Sequence, residues 1–228
     1  KPVQSFAFEG LAAKPVPSIL RGFSAPVILE RAVPASERAF LLAHDTDPFN
    51  RWEAGRALAK DVLARMITDG AAALPDLLDG MVRLALDPSL DPAFRALVLR
   101  LPGEDDMAAT LHAAGHVPDP ARIHAARQAL QIAVAQALAP DLPGLLAKMQ
   151  VAGPYSPDAQ SAGKRALQLV ALGYQARLDG GAAARDAHRS ADNMTTSFGS
   201  LACLLEIGAG QSELAAFEAK WRGDRLVM

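Results

Sequence analysis

The 228-residue chain has a single cysteine, Cys203. That excludes an internal disulfide and any cysteine-rich metal site, and a reducing compartment, the cytoplasm, is the simplest fit. Aromatic residues are only 5% of the chain, whereas Ala and Leu are abundant and favour helix. Neither sign of charge is in excess: 23 basic residues face 25 acidic ones, for a net charge of −2. Nucleic acid and anionic membrane both call for a basic footprint that is absent here, so neither is an expected partner. No uninterrupted apolar run approaches the roughly 18 residues that span a bilayer. The start, Lys1-Pro-Val-Gln-Ser5, has neither an initiator Met nor a signal-like apolar core, which reads as a piece excised from a longer protein.

What is present changes character at one place. Pro15, Pro17 and Pro26 each fix φ, remove a backbone donor and push the preceding residue toward extended geometry, so no helix can run through Lys14–Glu30. Val16, Ile19, Leu20, Phe23, Val27, Ile28 and Leu29 are too many apolar side chains for a solvated linker, and the segment is expected to be a packed, extended seam. Before it, Val3–Glu9 alternates with Phe6 and Phe8 on one side, a short strand pattern ended by Gly10. Val27–Glu30 is a second short candidate. Two strands alone are marginal in water, so docking against the first helices is expected.

From Ser36 onward the pattern is helical. Asp47-Pro48, Asp91-Pro92, Asp119-Pro120 and Ser156-Pro157 each put a capping side chain directly before a proline, the preferred chemistry of a helix start. The expected helices are Ser36–His44, Pro48–Asp69, Pro75–Leu86, Pro92–Leu101, Glu104–Ala114, Pro120–Ala139, Leu142–Gln150, Pro157–Leu178, Gly181–Arg189, Met194–Ile207 and Ser212–Arg222. The starts at Asp119, Ser156 and Asn193 recur about every 37 residues, each unit a longer helix and then a shorter one, as in a HEAT-like solenoid. Ile123, Leu130, Val134 and Leu138 form one apolar stripe that a single pair cannot cover, so neighbouring pairs must stack. The fold expected is therefore mainly α, a right-handed α-α superhelix of HEAT/ARM-like helix pairs over residues 34–228, preceded by a β/extended arm over residues 1–33.

Several pieces occur in an order that resembles the aminopeptidase N family of zinc metallopeptidases. They are Phe6-Ala-Phe8, the proline seam, Asp47-Pro-Phe-Asn-Arg-Trp52-Glu-Ala54, Ala191-Asp-Asn-Met-Thr195, and Lys220-Trp221 with Leu226-Val-Met228. The resemblance covers essentially the whole chain. It implies the end of a small β-sandwich domain followed by the first part of a C-terminal helical domain, with the catalytic domain elsewhere in the parent.

The family's His-Glu-x-x-His zinc helix has no match. His112-Ala-Ala-Gly-His116 has the spacing but carries Ala113 in place of the base, and His124 lies across a proline-rich break. These histidines read as an exposed last helical turn favoured by the dipole. Glu104-Asp105-Asp106, Asp45 and Asp47 sit at helix starts, where negative charge meets free amides. Cys203 lies in the apolar run Leu201–Leu205 and reads as a small core residue. Ser197 and Ser200 flank Phe198-Gly199 without a nucleophile elbow, and Gly180, Gly181, Gly208 and Gly210 read as helix stops. Trp52 and Trp221 read as packing residues. Asp192-Asn193-Met194-Thr195 is the most distinctive polar cluster, a helix cap in its plain reading and a cavity-facing group that positions a peptide in its sharper one.

No catalytic, cofactor-binding or metal-ligating residue is therefore expected in this chain. The resemblance implies a parent that uses zinc in its catalytic domain to remove N-terminal residues from peptides. The partners it implies for this piece are that catalytic domain, the rest of the β-sandwich and, through the parent, peptide substrates. The helical piece would wall off the active-site cleft and restrict access to it. The rival reading is a free-standing helical-repeat scaffold that binds a protein partner along its concave surface.

Overall fold

Asp47, Asp91, Asp119 and Asn193 each turn the chain into a helix by accepting hydrogen bonds from its first free amides. The donors are Asn50 N at 3.0 Å, Ala93 N at 2.8 Å, Ala121 N at 2.9 Å and Thr196 N at 2.9 Å respectively. The computed structural model describes residues 3–27, 29 and 31–227. Among these, the helices are α1 (Ala35–His44), α2 (Pro48–Asp69), α3 (Pro75–Leu86), α4 (Pro92–Val98), α5 (Glu104–Ala113), α6 (Pro120–Leu138), α7 (Leu142–Lys148), α8 (Ala159–Asp179), α9 (Ala182–Ser190), α10 (Met194–Glu206) and α11 (Gln211–Trp221). All eleven expected helices are present, most within two residues of the expected ends. One start is corrected: α8 is capped not by Ser156 but by Asp158, which accepts from Ser161 N at 2.9 Å. A carboxylate is the stronger acceptor for helix amides, and Ser156 is engaged through its carbonyl by Arg165 at 2.6 Å.

The helices stack as an array. In the second half α6, α8 and α10 lie side by side, and α9 packs behind α8 and α10. The first half is a bundle in which α1, α2 and α3 pack on one another and α6 lies against both α2 and α3. Leu42 of α1 is fully buried at its centre, beside Leu58, Leu63, Leu77 and Leu84. Two glycines make room for it. A Cβ on Gly55 would come within 2.7 Å of Leu42 Cδ1, and one on Gly80 within 2.9 Å of Cδ2. The ARM-like helix pairs expected from the spacing are thus built, joined to an N-terminal bundle by one continuous apolar core that runs from Leu42 to Tyr174.

The N-terminal segment differs from expectation. Among the described residues Val3–Glu9 forms no strand, and Phe6 and Phe8 stand 72% and 79% exposed rather than docked on the helices. The second candidate strand includes Ile28 and Glu30, which lie outside the described residues, as does Met228. A strand needs a ladder partner, and none is supplied by the helices. The seam is packed only in part: Ile19 and Val27 are 39% and 59% exposed.

The anchor is instead polar and centred on Asp45, whose side chain is 1% exposed. It accepts from Arg21 Nη1 at 2.6 Å, Ser18 Oγ at 2.7 Å and its neighbour Asp47 N at 2.9 Å. Asn50 adds bonds to Ser18 Oγ and Ile19 O at 2.9 and 2.8 Å. Between these bonds Arg21–Phe23 makes one 3-10 turn, the only helical element in the seam among the described residues. Leu20 and Phe23 adopt φ of 59° and 55° there, which costs side-chain-bearing residues about 1–2 kcal/mol each. The Phe23 ring on Phe49, with centroids 4.4 Å apart, helps to offset that cost. Burial pushes the Asp45 carboxyl upward, but the Ser18 and Asp47 bonds and the Arg21 charge outweigh it and hold its pKa below the usual 3.8. A depressed carboxyl contributes stability above pH 3.8, and that contribution is lost as pH falls through the folded value.

Two measurements test this construction. Leu42→Ala should lower stability by about 2–5 kcal/mol in urea unfolding, and Gly55→Ala should cost about 1–3 kcal/mol in the native background but markedly less in Leu42→Ala, where its methyl enters the vacated space. Strictly additive costs would contradict the contact. Asp45→Asn should speed tryptic cleavage after Arg21 about tenfold at pH 8, because releasing a charge-assisted network raises the open population. An unchanged rate would show that Asp45 does not hold the segment.

Candidate functional site

The polar cluster singled out in the sequence lies at the mouth of a cleft in the array. Asn193 has extended backbone and caps α10, while Asp192 accepts from Asn193 Nδ2 at 2.8 Å, so the two side chains fix each other at the helix entrance. Together with Thr196 they line a cleft of about 600 Å³ between the α7–α8 connection, α8 and α9. Arg165 lines the opposite wall. It is 5% exposed, donates to Ser156 O at 2.6 Å and stacks its guanidinium 4.5 Å from the centre of the Tyr155 ring. Gln150 and Gln168 add amides, and Leu146 and Leu172 add apolar surface. Such a cleft can hold a peptide-sized polar chain, with acceptors on one side and a cation on the other. It carries no activated nucleophile.

The remaining candidates take structural places. His112 and His116 are exposed at and just beyond the end of α5, and among the described residues no three His, Cys, Asp or Glu side chains gather to hold a metal ion. The side chains here do not fit a zinc site. Glu104, Asp105 and Asp106 form the first turn of α5 as expected, and two of them do more. Asp106 pairs with Arg56 and Lys60 of α2, both at 2.6 Å, and Glu104 meets His124 Nδ1 at 2.8 Å. Arg56 and Lys60 are one turn apart on α2, a spacing that could have announced a shared acidic partner.

Cys203 is buried between α8 and α10, with Sγ 3.5 Å from Leu169 O. Burial first, and the Glu206 charge second, push its pKa up to about 12. Ser200 is fully buried and donates to Thr196 O at 2.6 Å. Ser197 is half-buried, and its carbonyl accepts from His188 Nδ1 at 2.9 Å. Trp52 packs on the first core and on Phe49, and Trp221 packs on Phe217. The sequence reading missed how arginines bond across elements, for their partners are backbone carbonyls that no side-chain pattern announces.

A family model described as a domain of unknown function with ARM repeats, DUF3458_C, matches residues 35–228. A second, described as a domain of unknown function with an Ig-like fold, DUF3458, matches residues 1–32. The aminopeptidase N of Caulobacter vibrioides is 38% identical over 97% of this chain. That of Escherichia coli is 28% identical over 99%. The chain spans about a quarter of the length of these curated relatives, 26% in each case. Among solved structures, Legionella pneumophila aminopeptidase A in complex with aspartic acid superposes with a TM-score of 0.80 at 26% identity, covering 95% of this chain and 27% of that one.

The thiol gives a direct check on the α8–α10 packing. With a pKa near 12, Cys203 should react with iodoacetamide at pH 8 at least about a hundredfold more slowly in the native chain than in the urea-unfolded one. Comparable rates would place it outside the core.

Proposed function

This chain belongs to the DUF3458_C family of ARM-repeat domains, as the C-terminal helical region of an aminopeptidase N family protein, and from that premise we propose that its parent is a zinc-dependent aminopeptidase that removes N-terminal residues from peptides. This portion is the non-catalytic wall of the enzyme: it closes one side of the active-site cleft and restricts entry to peptides. The observation that carries the reading is 38% identity to an aminopeptidase N along 97% of the chain.

The structure of the chain supports the division of labour in three ways. Stacked helix pairs present extended concave surfaces able to border a substrate path. Two candidate nucleophiles are held out of reach, Cys203 by burial and Ser200 by its burial and its bond to a backbone carbonyl. The exposed Phe6 and Phe8 have the alternation of a strand with one apolar face, suited to pairing within an Ig-like sheet supplied by the parent. Zinc, the polarised water and recognition of the substrate's amino group belong in this reading to the parent's catalytic domain, in the cytoplasm.

Incubated with an aminoacyl p-nitroanilide and added zinc, the 228-residue chain should release no product above the protein-free control. Zinc-dependent turnover on the order of 1 s⁻¹ or faster would overturn the assignment. The parental reading frame is a second test. A His-Glu-x-x-His upstream and in frame with Lys1 supports the enzyme, whereas an initiator codon beside Lys1 favours the free-standing scaffold.

A further inference from the structure

Three arginines line a groove in the layer formed by α6, α8 and α10. The groove has a volume of about 410 Å³, and its charged lining is Arg100, Arg127 and Arg177 against the single carboxylate of Glu206. Leu169 and Tyr174 supply apolar wall. In a chain of net charge −2, three cations in one groove are a local reversal of sign. Such a grouping costs energy through mutual repulsion unless an anion relieves it.

The three arginines are held to different degrees. The Arg177 side chain is 5% exposed. Its Nη1 donates to Gly173 O at 2.7 Å, and its Nη2 donates to Gln131 Oε1 at 2.8 Å and Glu206 Oε2 at 3.0 Å. Its Nε is buried without an acceptor among the described residues. Arg127 donates through Nε to Pro102 O at 2.8 Å, which leaves its terminal nitrogens without a hydrogen-bond partner among the described residues. Arg100 is exposed and makes neither an ion pair nor a side-chain hydrogen bond among them. Arg177 thus forms a fixed, desolvated floor, and the other two have donors to spare. Glu206, 57% exposed, already lays one carboxylate oxygen on that floor and shows that the groove accommodates the pairing.

We propose that this groove binds a carboxylate group of a peptide, with Arg177 as the preset floor and Arg100 and Arg127 closing over the anion from the rim. The choice of a peptide as the carrier rests on the reading of the chain as a peptidase wall; the carboxylate chemistry rests on the groove alone. Its volume admits one acidic residue or a chain terminus with its neighbour, and the Leu169 and Tyr174 surface suits the aliphatic part of either. The site would hold a substrate by a point remote from the bond that is cut, so that binding energy gathered here orients the rest of the chain.

Titration of the ¹⁵N-labelled 228-residue chain tests this with four probes: acetyl-Ala-Ala-Glu-Ala-amide, acetyl-tetra-alanine free acid, acetyl-tetra-alanine amide and inorganic phosphate. At least one carboxylate peptide should shift the amides of Gly173, Gly199 and Ala202 and the Arg127 Nε–H in a saturable way, and whichever does so identifies a side-chain or a terminal carboxylate as the source. The uncharged peptide should bind at least tenfold more weakly. Equal response to the uncharged peptide, or response to phosphate with none to either carboxylate, overturns the proposal. Arg100→Gln with Arg127→Gln should weaken carboxylate binding at least tenfold. Arg100→Gln alone, at an exposed position, should weaken it about threefold, while Arg100→Lys should retain most of it. Unchanged affinity in the single glutamine variant also overturns it. None of these readouts involves turnover, so zinc-dependent activity of the isolated chain would end the peptidase-wall reading and leave the groove standing, and indifference to carboxylates would do the reverse.

Discussion

Helix α8 belongs to two cores at once, and that shared membership holds the array together. Leu167, Ala171 and Tyr174 lie in the apolar core that begins at Leu42, whereas Leu172 and Ala176 lie in the second one with Cys203 and Leu204. Helices α4 and α6 lean on the first face, and α9 and α10 on the second. Small residues permit the close approach. A Cβ on Gly163 would come within 3.1 Å of the Ala93 backbone nitrogen, so α4 and α8 meet nearly backbone to backbone. The buried Tyr174 hydroxyl is satisfied there, for it donates to Leu99 O at 2.6 Å. A helix apolar on two sides cannot be covered by a single neighbour, and covering it twice is what propagates the stack.

Arginine supplies the second kind of joint. Arg51 donates to Leu42 O and Ala43 O at 2.7 and 3.0 Å, near the end of α1, and Arg95 reaches Ala85 O near the end of α3. Arg122 reaches Ile67 O at the end of α2, and Arg127 reaches Pro102 O. The last carbonyls of a helix have no partner within it and carry its negative end, so a cation from the next element satisfies both needs. These bonds cross from one element to another and set the spacing between helices without needing a charged partner. The arrangement suits guanidinium better than ammonium, because its planar fork can bond a carbonyl while its face lies on apolar surface. Three of the four buried polar atoms left unpaired among the described residues are arginine Nε groups, the cost of forks held by their other nitrogens.

These two joints explain which parts of the structure could be read from sequence. Helix starts were legible because the code is local: Asp47, Asp91 and Asp119 each precede a proline and reach an amide two or three residues on. Ser156 was misleading because Asp158, two residues later, competes for the same amides with a stronger acceptor. Phe6 and Phe8 do alternate, but a strand is defined by its neighbour and no neighbour lies in this chain's helices. The cluster at Asp192–Thr195 was legible as a helix cap, since a polar group ahead of an apolar helix meets its free amides, and Asn193 does cap α10. The arginine groove was not, because Arg100, Arg127 and Arg177 come from three separate elements and only stacking brings them together.

Balance of charge along the chain therefore says little about charge in space. Several acidic residues are spent at helix starts, where Asp47, Asp91, Asp119 and Asp158 turn toward amides. Part of the arginine content goes to helix ends and leaves its surplus donors beside the grooves between pairs. A stack whose capping acids lie at helix entrances and whose stitching arginines span the gaps separates the two signs along its own axes, whatever its net charge. Because Arg127 and Arg177 are anchored to the carbonyls of Pro102 and Gly173, these two cannot relax away when an anion approaches or leaves. The same feature that fixes helix spacing thereby leaves the interior of a groove electropositive and preorganised, at −2 overall. In such a stack, rigidity and local polarity follow from one and the same set of bonds.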